Sequence, residues 1–167
     1  MKKIMSLLLV GLLAISLLTA CSGNSNKKTD SSSSTDSGST GQITYKDGVY
    51  TAEQDNFDEK SGWKSTIKIV VEGGKIVSVD WNGVHKDGGD DKDTRSKSGE
   101  YGMVAKGGAQ AEWHEQAEKM EAYLIEVQDP KLIKYDDGGY TDAVAGVSIH
   151  VNDFVELAIK ALENARE

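Results

Sequence analysis

Residues 63–81 decide the fold, and they read WKSTIKIVVEGGKIVSVDW. Apolar residues recur at every second position in both halves of this stretch: Ile67, Ile69, Val71, Val77, Val79 and Trp81. A period of two is typical of a β-strand with one buried face. Gly73 and Gly74 separate the halves, where a tight turn needs residues that tolerate positive φ. The stretch therefore predicts an antiparallel β-hairpin.

The segments around the hairpin predict an α+β fold. A first strand is expected at residues 47–52, and residues 82–108, rich in glycine and charge, are expected to be an irregular loop. One apolar stripe predicts a middle helix at 109–127, and a second predicts a last helix from 152 to about 165. Strands and helices do not alternate regularly. We therefore expect a small antiparallel sheet packed against the middle and C-terminal helices.

The first residues predict export and lipid attachment. Lys2 and Lys3, followed by an apolar run at 7–18, indicate a signal peptide over residues 1–20. The run ends Leu-Thr-Ala-Cys, which looks like a lipobox, so Cys21 is the predicted lipidation site. Cys21 is the only cysteine, which leaves no partner for a disulfide within the chain.

Composition then divides the remaining chain. Residues 21–43 are predicted to be the lipidated cysteine and a disordered tether, because polar residues dominate them. Residues 44–167 are enough for one folded domain. Removal of Lys2 and Lys3 with the signal peptide moves the formal net charge from −8 to −10. This acidic balance argues against a nucleic-acid partner, whose phosphates attract basic residues. The signal peptide and the lipid site together predict a lipid-anchored domain on the extracytoplasmic face of the cell membrane.

Residues 142–148 read DAVAGVS and stand just ahead of the predicted last helix. Gly146 lets the backbone turn sharply, and Ser148 presents a hydroxyl near the helix start. Free N–H groups and the positive end of the helix dipole favour phosphate there. From these residues alone, Ser148 is either such a site or a helix cap, and Asp142 is either a recognition residue or a turn residue.

The segment resembles the flavin attachment motif of the FMN-binding domain family, roughly Asp-x-x-(Ser/Thr)-Gly-Ala-(Ser/Thr). Asp142, Gly146 and Ser148 match, whereas Ala145 replaces the hydroxyl residue and Val147 replaces the alanine. The resemblance implies that a flavin transferase joins FMN through its phosphate to Ser148. It also implies that Asp142 serves recognition or geometry.

The order of segments extends the resemblance over most of the domain. An opening Asp-Gly-x-Tyr-x-Ala at 47–52 and Gly-Gly-Lys-Ile-Val-Ser-Val at 73–79 precede the motif and the last helix. With the lipobox, the chain is similar to flavinylated surface lipoproteins of the extracellular electron-transfer, pheromone-lipoprotein type. That likeness implies a redox carrier, not an enzyme. Electrons would arrive from membrane quinols through a membrane partner and leave to an extracellular acceptor.

A flavin ring needs a flat apolar surface and a few hydrogen-bond donors. Four aromatic or apolar residues are the candidates by their order along the chain: Tyr101, Met103, Trp113 and Tyr140. Of these, Trp113 also lies on the apolar stripe of the middle helix and is interpreted as core first. The three histidines share no metal-ligand spacing, so no metal site is predicted.

Two other functions stay open from the residues. Ala145 and Val147 leave room for a surface lipoprotein of the same fold that binds a ligand or partner without flavin. The acidic stretch at 87–93 suggests a calcium-binding lipoprotein, although it lacks the spacing and closing glutamate of an EF-hand.

Overall fold

The hairpin is present in a computed structural model that describes residues 43–166. Strands β2 (Trp63–Glu72) and β3 (Lys75–His85) pair antiparallel along their whole length. Gly73 and Gly74 form the turn with φ values of 59° and 77°. Two successive positive φ values are typical of a type I′ turn, so the predicted hairpin is confirmed. The predicted signal peptide, the lipid site at Cys21 and the tether up to residue 42 lie outside the described residues.

One more strand and two long helices complete the main structure. Strand β1 (Gly48–Glu53) pairs antiparallel with β2, which gives the sheet order β1-β2-β3. Two short helices follow β3, at Lys92–Lys97 (α1) and Met103–Gly107 (α2). The longer ones are α3 (Trp113–Val127) and α4 (Asn152–Leu162), with a short 3₁₀ turn at Pro130–Leu132 between them. This arrangement confirms the α+β prediction.

The apolar stripes meet on one face of the sheet. Buried residues of the strands, α3 and α4 form one core: Ile67, Ile69, Val71, Trp81, Ala117, Met120, Leu124, Phe154, Leu157, Ala158 and Leu162. Helix α3 packs mainly against β3, and α4 packs against β2 and β1. No helix within residues 43–166 is long and apolar enough to cross a membrane.

The predicted alternation fails at one position of the return strand. Val77 is 44% exposed, whereas Ile76 is buried and lies opposite Val71. The register shifts between Val70 and Val71, as in a β-bulge. An extra residue on one strand moves the following side chains to the other face.

The prediction of an irregular loop at 82–108 was wrong. Strand β3 continues to His85, and two short helices follow it. Helix α1 begins where the Asp91 carboxylate accepts the backbone N–H of Thr94 at 2.7 Å, an N-cap that needs no apolar stripe. The middle helix begins at Trp113, four residues later than predicted, because Glu112 and Glu115 form a capping box there. The last helix ends at Leu162, not near 165.

Candidate functional site

A cavity of about 570 Å³ lies beside the start of α4. Its lining includes all three tryptophans of the chain, Trp63, Trp81 and Trp113. It also includes Ser148 and His150 from the segment before α4, and Asp153 from its first turn. The volume falls within the range of about 300–1,000 Å³ that small-molecule sites occupy.

Four of the six residues singled out from the sequence for the cofactor lie around this cavity. Ser148, Tyr101, Met103 and Tyr140 line it, whereas Asp142 and Gly146 do not. Met103 is held in place because its backbone N–H donates to the Glu112 carboxylate at 2.8 Å. Trp113, which was interpreted as core, is 3% exposed and also lines the cavity, so it belongs to both.

Ser148 is exposed and lies four residues before the first residue of α4. The side-chain oxygen of the buried Gln116, on α3, accepts the Ser148 N–H at 2.7 Å and the Ser148 Oγ–H at 3.3 Å. The Gln116 amide nitrogen donates in turn to the Ala111 carbonyl at 3.0 Å. Sequence reasoning missed Gln116. The available signal was a polar residue three positions after Trp113, on the apolar stripe of α3.

A turn at residues 144–147 fixes the backbone just before Ser148. The Val147 N–H donates to the Val144 carbonyl at 3.3 Å, and Gly146 has a φ of 76° at the third position of this turn. A type II turn requires positive φ there, which favours glycine. Lys119 donates to the Gly146 carbonyl at 3.3 Å and ties the turn to α3.

Asp142 lies on a separate, shallower cleft of about 290 Å³ that it shares with Tyr140. Its side chain is exposed, and it caps no turn within residues 43–166. Tyr140 stands between the two concavities, 44% exposed, with its ring centroid 4.5 Å from that of His150. Asp142 is therefore accessible from solvent beside the cavity and not inside it.

Lys92 is a cavity residue that sequence reasoning missed. As the first residue of α1 it places its ammonium 4.6 Å from the ring centroid of Trp113 and 5.3 Å from that of Tyr101. Burial lowers the pKa of Lys92 to about 8, an effect that the Asp153 carboxylate partly opposes. Burial also raises the pKa of the Tyr101 hydroxyl, which stays neutral at physiological pH.

The lining combines apolar surface with groups that could bind a polar or anionic part of a ligand. Aromatic side chains supply apolar surface, and the buried Nε1–H of Trp81 has no acceptor within residues 43–166. Helix α4 has no side-chain cap at its N-terminus, so no capping side chain occupies its first N–H groups, which are of the kind that bind anions. Asp153 in the first turn supplies a negative charge that opposes this attraction.

Residues of the acidic stretch at 87–93 stabilise the start of helix α1, which begins at Lys92. Asp91 caps α1, and Arg95 donates to the carbonyls of Gly88 and Asp90 at 2.7 and 2.9 Å. Among residues 43–166 no group of three or more His, Cys, Asp or Glu side chains has a geometry suited to a metal ion.

Known proteins similar to this chain come from two comparisons. A solution NMR structure of a protein from Clostridium thermocellum is 66% identical, covers 71% of this chain and 90% of its own, and has a TM-score of 0.55. A crystal structure of a protein from Clostridium perfringens is 28% identical over 72% of this chain and 88% of its own, with a TM-score of 0.56. The 15 kDa lipoprotein of Treponema pallidum is 26% identical over 119 residues, 71% of this chain and 75% of its own. No protein-family model matches the chain.

Proposed function

We propose that this chain, which belongs to the same family as the Clostridium thermocellum protein, is a lipid-anchored carrier of FMN on the outer face of the cell membrane. The lipid anchor is supported by the lipobox at Cys21 and by the distant relative named a lipoprotein. The FMN is supported by the matching motif residues and by the cavity.

One observation carries the proposal. Ser148, the last residue of the motif, lines a cavity with aromatic walls and a volume suited to a cofactor. A serine hydroxyl is a poor nucleophile without an adjacent base, so a separate transferase must activate it. With a flavin dinucleotide as donor, a bond forms between Ser148 Oγ and the FMN phosphorus. The pyrophosphate bond breaks, and AMP and the serine proton leave.

Bound FMN would supply reversible two-electron chemistry, and the protein residues would do the rest. Gln116 orients Ser148, and the start of α4 offers N–H groups to the phosphate. The aromatic rings exclude water from the ligand surface. In this proposal the chain is a substrate of the transferase and a carrier between a membrane quinol-linked donor and an extracellular acceptor. It does not turn over a substrate of its own.

Co-expression tests the proposal. The mature domain would be produced with and without a flavin transferase, purified, and its absorbance measured in the flavin region. We expect yellow protein only with the transferase, and colourless protein from Ser148→Ala under the same conditions. Colourless wild-type protein from cells that contain an active transferase would contradict the proposal and favour a ligand-binding lipoprotein without flavin.

A further inference from the structure

Lys92 has an unusual position for a lysine. Its ammonium faces three aromatic rings of the cavity, with centroids of Trp113, Tyr101 and Trp63 at 4.6, 5.3 and 5.9 Å. Within residues 43–166 no carboxylate forms an ion pair with it. A half-buried charge without a partner costs free energy, so its presence in a cavity indicates a function.

Contacts of α1 with Asp91 and with strand β3 fix the position of Lys92. Asp91 caps the helix that Lys92 begins, and Asn82 of β3 accepts the N–H of Asp93 at 3.1 Å. The stem of Lys92 lies against Gly83, where an added Cβ would stand 3.4 Å from its Cδ. The ammonium is thus directed into the cavity by the backbone and not by an ion pair.

The carboxylate that acts on the pKa of Lys92 is hydrogen-bonded to other residues. Asp153 accepts from the Asn152 amide at 3.0 Å and from the Ser65 hydroxyl at 3.3 Å. Its carboxylate raises the pKa of Lys92 but leaves the ammonium free to meet a ligand. Rings alone stabilise a cation modestly, so an anionic ligand would be its natural partner.

We propose that Lys92 supplies the positive charge that stabilises the reduced form of the FMN ring in this cavity and so raises its reduction potential. This inference rests on the proposed function. A quinol donor gives two electrons and two protons; the ring takes two electrons and one proton, and the other proton goes to solvent. The ring then carries one additional negative charge, which an adjacent ammonium stabilises.

The test is the midpoint potential of flavin-loaded protein. Lys92→Met should lower it by at least about 30 mV, which corresponds to a tenfold change in the equilibrium for a two-electron couple. Lys92→Arg keeps the positive charge, so its midpoint potential should stay near that of the wild type. Lys68→Met is the matched control, because Lys68 is an exposed lysine of β2 that does not line the cavity. A potential of Lys92→Met equal to that of Lys68→Met would overturn the inference.

A second measurement separates this inference from the proposed function. Ser148→Ala domains, with and without Lys92→Met, would be titrated with free riboflavin in its oxidised and reduced forms. Loss of Lys92 should weaken binding of the reduced form about tenfold more than binding of the oxidised form. Equal losses would contradict the inference alone. Wild-type protein without flavin mass would contradict the proposed function, and the inference with it.

Discussion

Gln116 and Ser148 are joined by two hydrogen bonds to one atom. The side-chain oxygen of Gln116 accepts the backbone N–H of Ser148 at 2.7 Å and its hydroxyl at 3.3 Å. Gln116 is 1% exposed and belongs to the rigid helix α3, whereas Ser148 is exposed. The contact therefore ties an accessible hydroxyl to the core and limits the directions in which that hydroxyl can point.

Substitution of Gln116 should affect both stability and flavin attachment. In Gln116→Leu the Ser148 N–H loses its acceptor, and we expect the free energy of unfolding to fall by about 1 kcal/mol. We also expect a smaller fraction of FMN-loaded protein after co-expression with the transferase, measured by intact mass. Gln110→Leu, at an exposed position outside α3, is the control. Equal loading of the two variants would show that Gln116 does not position Ser148 for attachment.

Tryptophan fluorescence should report the occupied cavity. Trp63, Trp81 and Trp113 are all the tryptophans in the chain, and all line the cavity. A flavin ring in contact with them accepts their excitation energy, so we expect loaded protein to emit much less tryptophan fluorescence than Ser148→Ala. Unfolding the loaded protein in denaturant should restore part of the emission. Emission from folded, loaded protein as strong as that of Ser148→Ala would place the flavin outside the cavity.

Lys92 should destabilise the flavin-free domain in a manner that depends on pH. Its pKa is lowered from 10.5 to about 8 by burial. Between pH 8 and 10.5 the unfolded chain binds more protons than the folded one, so wild-type stability rises with pH there. Below pH 8 we expect Lys92→Met to be more stable than wild type, by up to about 3 kcal/mol.

Urea unfolding at several pH values measures this difference. The advantage of Lys92→Met should shrink between pH 8 and 10.5, whereas Lys68→Met should differ little from wild type throughout. A constant difference between Lys92→Met and wild type over that range would mean that the folded pKa of Lys92 is not lowered.

Glu121 should make stability fall as the pH approaches neutrality. Burial raises the pKa of this carboxyl from 4.5 to about 7, although it accepts the backbone N–H of Trp81 at 2.8 Å, which lowers the pKa. The folded chain therefore binds more protons between pH 4.5 and 7, and this contribution to stability is lost as the pH rises through 7. Solvent screening limits the loss to the order of 1 kcal/mol.

The variant Glu121→Gln tests this dependence, because its amide oxygen still has the capacity to accept the backbone N–H of Trp81. We expect Glu121→Gln to be more stable than wild type at pH 8 and to show a flatter profile between pH 4.5 and 7 in urea unfolding. Glu126→Gln, an exposed residue of the same helix, should keep the wild-type profile. A wild-type profile in Glu121→Gln would rule out a raised pKa.

The main elements could be predicted because their patterns are local. Alternation at Ile67, Ile69 and Val71 and the pair Gly73-Gly74 are sufficient to specify the hairpin, and the stripe that begins at Trp113 specifies α3. The exposure of Val77 could not be predicted, because a bulge is a property of the pairing between two strands and changes which face a side chain lies on. Helix α1 was missed because side-chain capping and contacts with β3, not an apolar stripe, hold it in place.

Only some residues of the cavity could be predicted from the sequence. Motif matching identifies Ser148, and loop composition identifies Tyr101 and Met103. Lys92 and Gln116 reach the cavity through tertiary contacts between segments distant along the chain, and no spacing rule links them to Ser148. Trp63 was noted only as part of the hairpin, because a strand pattern does not show what lies beyond the end of the sheet.

Attachment of FMN to Ser148 is the central claim, and intact mass spectrometry of the mature protein from its native host tests it most directly. The wild-type protein should carry the added mass of one FMN less one water, Ser148→Ala should lack it, and Ser78→Ala, at an exposed serine of β3, should keep it. A wild-type mass without FMN, or an FMN mass that persists in Ser148→Ala, would contradict the account.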